Sequence, residues 1–414
     1  MKKINFKNTL FSISKLCVLG VLIGALGGLI GGCFSHLLSF VTNVREVDSW
    51  LIFLLPLGGI TTVGLYRVFR MGDYGGTNEI IHRLDDKRPI RFIAAPLIFI
   101  STAITHLFGG SAGRVGAAIQ LGGTIASTLS NIFRLKEKES TVFIMCGMSA
   151  VFAGVFGTPL TAAFFVLEFK LVPNVVYMAI SPCFISAIIA EKVSSLMGVT
   201  EETFHLSNIT TFTFHTVVKI VVLSIGLSVL GKVVCLFFHK SEFWAKKLIS
   251  SPFLRSVIGA VVIVALTAIV GDMRYNGSGM SMAIGAVEGK ADWFDFILKI
   301  VFTTITLAAG FKGGEIVPTF CIGATFGFVM GSVLGLDIGF SAALGLVGLF
   351  CCTTNSPISA TFLGIELFGF AALPYYLLVC LIIWPLSVQK GLFDNRFFKP
   401  KDFLKKFCSG SKDN

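Results

Sequence analysis

The chain has 414 residues, of which 54% are hydrophobic and only 14% are charged, and its mean hydropathy is +0.84. That proportion of apolar residues exceeds what a water-soluble core needs, so the composition excludes a soluble globular protein. The net charge of +11 comes from basic residues that flank apolar segments and form no domain of their own, so we expect no nucleic-acid partner.

Apolar segments recur along the whole chain. A helix needs about 20 apolar residues to span a bilayer, so the sequence predicts an all-α, polytopic protein whose surroundings are the lipid bilayer. Several segments are short or broken by Gly and Pro, and non-helical backbone at membrane depth is tolerated only where protein or water covers it. The broken helices therefore indicate a transport pathway. The segments are residues 16–42, 51–69, 92–108, 141–168, 174–197, 212–238, 255–270, 294–309, 316–351 and 373–388.

Basic residues mark the sides of the membrane. The N-terminal segment 1–15 is basic, as are "HRLDDKRPIR" (82–91), "RLKEKES" (134–140) and the beginning of the tail, residues 396–414. By the positive-inside rule we expect an integral protein of the plasma (inner) membrane with both termini cytoplasmic.

Two segments of the chain repeat each other. "GMSAVFAGVFGTPLTAAFFVLEF" (147–169) aligns with "GLVGLFCCTTNSPISATFLGIEL" (345–367). The short apolar helix, the break before Pro and the Glu nine residues after it all recur. The matched pairs are Gly147 with Gly345, Phe152 with Phe350, Pro159 with Pro357, Ala162 with Ala360, Phe164 with Phe362 and Glu168 with Glu366.

The repeat extends upstream, because "GRVGAAIQLG" (113–122) aligns with "GEIVPTFCIG" (314–323). We therefore expect a first membrane half, residues 16–205, and a second half, residues 206–395. Repeats with broken helices at corresponding positions are typical of secondary transporters and related channels. The alternative is coincidence between two glycine-rich apolar segments.

Four segments have the pattern of helices that begin inside the membrane. They are residues 73–81, 109–119, 310–318 and 387–393. A helix start presents free N–H groups and a partial positive charge, which together favour an anion. Basic side chains within these segments add positive potential, or else they are interfacial or paired with carboxylates.

Enzyme signatures are missing from the sequence. The ten cysteines include no C-x-x-C, and the six histidines include no H-E-x-x-H. We therefore expect no enzyme, no metal site and no cofactor.

The glycine-rich segments carry a family resemblance. "GGSAGRVGAAIQLGG" (109–123) resembles the G-R-E-G-P stretch of the CLC chloride channels and transporters, and "GFKGGEIVPTFCIGATFG" (310–327) resembles their G-x-F-x-P region. The form "GFKGGE" is more similar to the fluoride–proton antiporter branch. The resemblance covers residues 16–395. It implies two inverted halves with re-entrant helices, one pore for chloride or fluoride in each subunit, and a homodimer through residues 160–190 and 358–385.

The resemblance also implies which residues line the anion pathway, where separate helix starts meet at the anion. The pathway positions are Gly76, Thr77, Gly113, Arg114, Val115, Gly116, Gly313, Gly314, Glu315, Ile316, Val317 and Phe393.

Several pathway positions depart from the family pattern. Val115 occupies the place of the gating glutamate, which blocks the pore and carries the proton, and valine cannot ionise. Phe169 stands where proton-coupled chloride members often have a second glutamate, and Phe393 stands at the pore tyrosine. Glu315 matches the glutamate of the fluoride branch, whereas Val317 replaces an expected threonine.

These departures favour passive, channel-like anion permeation. In one alternative, Val115 is a packing residue and Glu315 or Glu79 carries protons in a coupled antiporter. Further alternatives are a changed or lost substrate and a non-conducting membrane scaffold. We expect the segments 110–122 and 314–323 to face each other across a pseudo-two-fold axis, and Glu315 either to pair with Lys312 or to face the pore.

Overall fold

The computed structural model describes residues 6–72, 74–85, 90–169, 173–200, 203–204, 206, 208–387 and 391–393. Most of the predicted tail and part of the predicted N-terminal segment lie outside these residues. Within them the chain is helical, and its β-type pairing is one isolated bridge.

The first half of the described chain folds as eight α-helices, with a 3-10 helix at Ser49–Leu54 between the first two. Their bounds are α1 Phe6–Val47, α2 Leu55–Val68, α3 Thr77–Asp85, α4 Ala94–Leu107, α5 Val115–Ile132, α6 Glu137–Phe156, α7 Pro159–Glu168 and α8 Pro173–Leu196.

The second half follows the same plan, with a 3-10 helix at Phe370–Ala372 before the last α-helix. The bounds are α9 Phe214–Leu248, α10 Pro252–Val270, α11 Met280–Val287, α12 Asp295–Ala308, α13 Ile316–Leu334, α14 Ile338–Thr354, α15 Pro357–Phe368 and α16 Leu373–Leu386. The predicted boundary between residues 205 and 206 falls in the connection from α8 to α9.

Seven helices in the described residues are long and apolar enough to cross a membrane, and five more apolar helices are shorter. The apolar segment 141–168 contains a break, because Gly157 closes α6 with φ +73° and Pro159 then begins α7. Helix α6 is buried along its whole apolar length. The protein is therefore an integral membrane protein whose innermost helices are covered by its own chain.

Equivalent helices in the two halves pack through equivalent glycines. A Cβ atom on Gly122 of α5 would lie 2.0 Å from the carbonyl oxygen of Gly147 in α6, and one on Gly323 of α13 would lie 2.4 Å from that of Gly345 in α14. The aligned segments thus make the same backbone contact twice. Coincidental similarity between two apolar segments does not explain a repeated contact.

The two halves meet where α7 and α15 lie side by side. The carboxylate of Glu168, which ends α7, accepts hydrogen bonds from the backbone N–H groups of Ile358 and Ser359, the second and third residues of α15, both at 3.0 Å. Glu366 in α15 does the same at the start of α7, at 2.7 and 2.9 Å. Each helix end therefore caps the other helix start, so the helices are antiparallel, as an inverted repeat requires.

Between these two caps the rings of Phe164 and Phe362 stack with their centroids 4.4 Å apart. These phenylalanines are also a matched pair of the repeat. A residue that contacts its own counterpart lies on the two-fold axis that relates the halves. The predicted inverted repeat is thus confirmed.

Removing either cap should destabilise the fold. We expect Glu168→Ala and Glu366→Ala each to cost about 1.5–3 kcal/mol, because each deletes charge-assisted hydrogen bonds to a buried helix start. Thermal unfolding in detergent measures the effect. The exposed Glu288 is a matched control, and Glu288→Ala should leave the midpoint unchanged. Midpoints equal to wild type for both cap variants would contradict the capping role.

Candidate functional site

The starts of α5 and α13 meet in the interior of the protein. The N–H of Gly113 donates to the carbonyl oxygen of Gly314, and the N–H of Gly314 donates to that of Gly113, both at 2.6 Å. Gly113 and Gly314 are matched residues of the repeat, so this bridge also lies on the pseudo-two-fold axis. The prediction that segments 110–122 and 314–323 face each other is confirmed.

Glycine is required for this approach. A Cβ atom on Gly113 would lie 2.9 Å from the Cβ of Val317, and one on Gly314 would lie 2.6 Å from the backbone nitrogen of Gly116. Real Cβ atoms do not approach other atoms so closely in a packed core. The glycine-rich motifs therefore bring these four predicted pathway residues together.

In the part of the chain that the structure describes, no side chain accepts a hydrogen bond from the first-turn N–H groups of α5 or α13. Arg114 precedes α5 and Glu315 precedes α13, and neither side chain accepts a hydrogen bond from its helix. Helices α7 and α15, by contrast, are capped by carboxylates from each other. The positive ends of α5 and α13 are consequently available to an anion.

The start of α3 adjoins α5. Gly76 has φ +64° and turns the chain into the helix. The hydroxyl of Thr77 accepts a hydrogen bond from Gln120 Nε2 at 3.0 Å and donates to the carbonyl oxygen of Gly116 at 3.5 Å. A third helix start therefore lies beside the first two.

Val115 begins α5 and is fully buried in the hydrophobic core. Arg114 beside it places its guanidinium 5.7 Å from the centre of the Phe156 ring. Phe393 is buried and packs edge-on against Phe169 at 5.8 Å. The predicted fourth helix start, residues 387–393, lies partly outside the described residues.

Glu315 and Lys312 do not pair. The Lys312 ammonium lies 4.6 Å from the centre of the Tyr66 ring, and no ion pair within 4 Å joins these two described residues. A spacing of three brings side chains together on a helix, but residues 310–315 precede α13 and are not helical. The alternative in which Glu315 pairs with Lys312 is therefore wrong, and the pore-facing role remains a prediction. Glu315 is half-buried and interacts electrostatically with Glu242 of α9.

The remaining predicted residues pack around the bridge. Ile316 is fully buried, like Val317 beside it. A Cβ atom on Gly313 would lie 2.4 Å from that of Ala112. These contacts hold the two segments together and leave little room for larger side chains.

Buried basic residues near the site were missed by the sequence analysis. Arg45, near the end of α1, donates to the carbonyl oxygen of His106 at 3.2 Å, and both side chains are buried. Lys299 of α12 is fully buried and donates to Ser111, two residues before Gly113. The signal available in the sequence was a basic residue inside or at the end of an apolar segment, which marks functional sites in membranes.

A family model for the voltage gated chloride channel matches residues 58–383 of the chain. The chain belongs to the voltage-gated chloride channel (CLC) family. A "Chloride/fluoride channel protein" of Pseudomonas syringae pv. tomato is 32% identical to this CLC chain over 390 residues, which cover 92% of the chain and 86% of the relative.

Solved CLC structures have the same fold. The crystal structure of a CLC-type fluoride/proton antiporter matches with a TM-score of 0.86 and 32% identity, over 91% of this chain and 98% of the other. A slow cyanobacterial Cl−/H+ antiporter matches with a TM-score of 0.75 and 18% identity, over 96% and 99% of the two chains. The predicted all-α, CLC-type membrane fold is confirmed.

Enlarging a bridge glycine tests the site. Gly314→Ala should separate the two helix starts, because its methyl group would overlap the backbone of Gly116. We expect anion efflux from liposomes to fall by about tenfold or more, since misplacing site groups by about 1 Å has effects of that size, and stability to fall by about 1–3 kcal/mol.

The matched control is Gly64→Ala in α2, where the nearest atom to the new methyl group is 4.0 Å away. That variant should retain both the efflux rate and the melting temperature of wild type. Wild-type efflux in Gly314→Ala would show that the bridge does not shape the pathway.

Proposed function

We propose that this CLC protein carries chloride or fluoride through the membrane by passive, channel-like permeation. One observation carries the proposal: two helix starts without caps are held together by the Gly113–Gly314 bridge, directly beside a valine at the gating position. An anion at this point receives backbone N–H groups and two helix dipoles. The start of α3 adds a third dipole.

The choice of anion is supported by the binding surface and by relatives. Backbone N–H groups at a helix start suit a small inorganic anion. Two similar proteins, each 32% identical to this chain, carry fluoride in their names. We propose fluoride and chloride as the two anions to test first.

Val115 supports passive transport. A gating carboxylate competes with the anion for the helix start and carries protons, and a valine does neither. In this structure Val115 is fully buried, so permeation requires a local opening of its packing. Transport should therefore run down the anion gradient with no accompanying proton.

A proton-coupled antiporter is the second candidate, and Glu315 favours it. Its carboxylate lies at the start of α13, half-buried, with no ion pair within 4 Å among the described residues. A carboxylate at membrane depth is costly, about 2.5–3.5 kcal/mol for an acidic residue on insertion scales, and so marks function.

One experiment separates these candidates. Purified protein in liposomes is given an outward fluoride or chloride gradient, and anion efflux and internal pH are recorded together. Efflux without proton movement supports passive permeation. Proton movement against the proton gradient would establish coupling. If neither anion moves, the protein is a non-conducting scaffold.

Val115→Glu should convert the pathway into a gated one. The new carboxylate would sit against backbone N–H groups, a position that stabilises negative charge by about 0.3–1 kcal/mol and by more when partly buried. It should compete with the anion, slow efflux at pH 8, and allow faster efflux at pH 5 as it protonates. Wild-type efflux should change little over this range.

The control for this change is Val115→Gln, because glutamine has the same size as glutamate and cannot ionise. It should show no acceleration at low pH. His106→Gln is the second control, because His106 is the buried histidine nearest the chain that enters α5. A wild-type pH dependence abolished by His106→Gln would assign that dependence to the histidine.

Glu315→Gln tests the second candidate directly. If Glu315 faces the pathway, this variant should change the fluoride-to-chloride efflux ratio or the pH dependence while the melting temperature stays the same. The matched control is Glu288→Gln, an exposed surface glutamate. A Glu315→Gln protein with wild-type ratio and pH profile would remove Glu315 from the pathway.

We also propose that the protein is a homodimer of the plasma (inner) membrane with cytoplasmic termini. The proposed contact uses α8 and α16, within the segments 160–190 and 358–385. These helices expose large apolar side chains, namely Tyr177, Ile180, Ile188, Leu377 and Leu381. The basic segments that flank the spans support the orientation.

Light scattering in detergent, corrected for bound detergent, should give the mass of two chains. Leu381→Gln should shift the population toward the monomer, since it places an amide in an apolar contact. Leu236→Gln, at a similarly exposed site on α9, should remain dimeric. A monomeric wild type would contradict this assembly.

A further inference from the structure

Lys299 in α12 makes an unusual set of contacts for a buried lysine. It is fully buried, and its ammonium group donates to Ser111 Oγ at 3.0 Å, to the carbonyl oxygen of Tyr275 at 3.0 Å and to that of Gly277 at 2.9 Å. A protonated lysine has three N–H donors and no acceptor. The three oxygens can therefore accept from all three donors of the charged ammonium group.

No carboxylate in the described residues forms an ion pair with Lys299. Asp295, one turn earlier on α12, is engaged elsewhere: it accepts from the Tyr275 hydroxyl at 2.5 Å and from the backbone of Asp292 at 2.8 Å, and it pairs with Arg274 at 3.1 Å. A buried cation held by neutral oxygens is costly in a membrane protein, so its presence calls for a role.

Ser111 is the contact that links Lys299 to the anion site. Its backbone N–H donates to Thr306 Oγ1 at 3.0 Å, and its hydroxyl is 3.0 Å from Thr303 Oγ1. The spacings of four and three place Lys299, Thr303 and Thr306 on one face of α12. Three residues on one face of α12, in the second half, therefore contact Ser111 of the first half.

The loop that Lys299 binds also holds the chain just before Ser111. The N–H of Gly277 donates to the carbonyl oxygen of Gly110 at 3.1 Å, and Asn276 Nδ2 donates to that of Gly109 at 2.8 Å. Lys299 thus joins two loops, residues 275–277 and residues 109–111. Two residues further on, Gly113 forms the bridge to α13.

We propose that Lys299 is a positioning residue for the anion pathway, acting through Ser111. Its ammonium group fixes the backbone that leads into Gly113 and α5, and so sets how the N–H groups of α5 meet an anion. The effect on transport rests on the proposed function, whereas the effect on the backbone does not.

The test uses Lys299→Met, Ser111→Ala and the double variant in the full-length protein. Methionine preserves the length of the side chain and removes the charge and the donors. Ser111→Ala removes the link and leaves Lys299 in place, so it remains informative if Lys299→Met folds poorly. The control is Lys290→Met, because Lys290 is exposed and pairs with Glu288 at the surface.

Two measurements are made on each variant. The first is amide hydrogen exchange of peptides that cover residues 108–118, which needs no transport activity. The second is the ratio of fluoride to chloride efflux from liposomes, which does not depend on the fraction of protein that is active. A purely structural lysine would lower stability and yield without changing that ratio.

We expect exchange in residues 108–118 to become about tenfold faster in both single variants and to stay at the wild-type rate in the control. The efflux ratio should change by about threefold or more in both, and the double variant should match the larger single effect, because both changes break one link.

Unchanged exchange in this segment would overturn the proposal, and so would a double variant whose effect on the ratio is the product of the two single effects. Absence of anion flux in wild type would instead contradict the proposed function. In that case the exchange measurement still decides whether Lys299 positions the segment.

Discussion

The reciprocal bridge between Gly113 and Gly314 is the constraint on which the rest of the site depends. Two hydrogen bonds of 2.6 Å fix the starts of two helices that come from opposite halves of the chain. Backbone atoms approach so closely there that a side chain on Gly113 or Gly314 would overlap neighbouring atoms. The starts of α5 and α13 are thereby held in contact, so helix dipoles from both halves lie close together.

The helix starts in the interior are of two kinds, which differ in whether a carboxylate caps them. Helices α7 and α15 begin against carboxylates from the opposite half, so their N–H groups are already satisfied. Helices α5 and α13 begin without a cap from their N-cap residues. One pair of helix starts therefore holds the halves together, and the other pair is the one that we propose for the anion.

Much of this arrangement was predictable, because its determinants are local. A glycine-rich segment next to an apolar helix, and a proline followed nine residues later by glutamate, are patterns that a sequence displays directly. Their recurrence in both halves predicted the inverted repeat and the facing segments. One of the two alternatives for Glu315, an ion pair with Lys312, does not form, because nearness in sequence does not bring side chains together in a stretch that is not helical.

The contacts around Lys299 could not be predicted, because they depend on packing between distant parts of the chain. Ser111 and Lys299 are 188 residues apart, and no spacing rule connects them. The role of Glu168 and Glu366 is a similar case. Their repeat was visible in the sequence, but the exchange of caps between two antiparallel helices appears only when the halves are placed together.

Those exchanged caps have a consequence for biosynthesis. The N–H groups that open α7 bind a carboxylate made 206 residues later, which at 5–20 residues per second is a delay of about 10–40 s. During that interval the first half resides in the bilayer with a helix start and a carboxylate that lack their final partners, in a medium that offers few substitutes. Neither half can complete its own interior alone, so the nascent chain reaches its native state late, when α15 has been inserted.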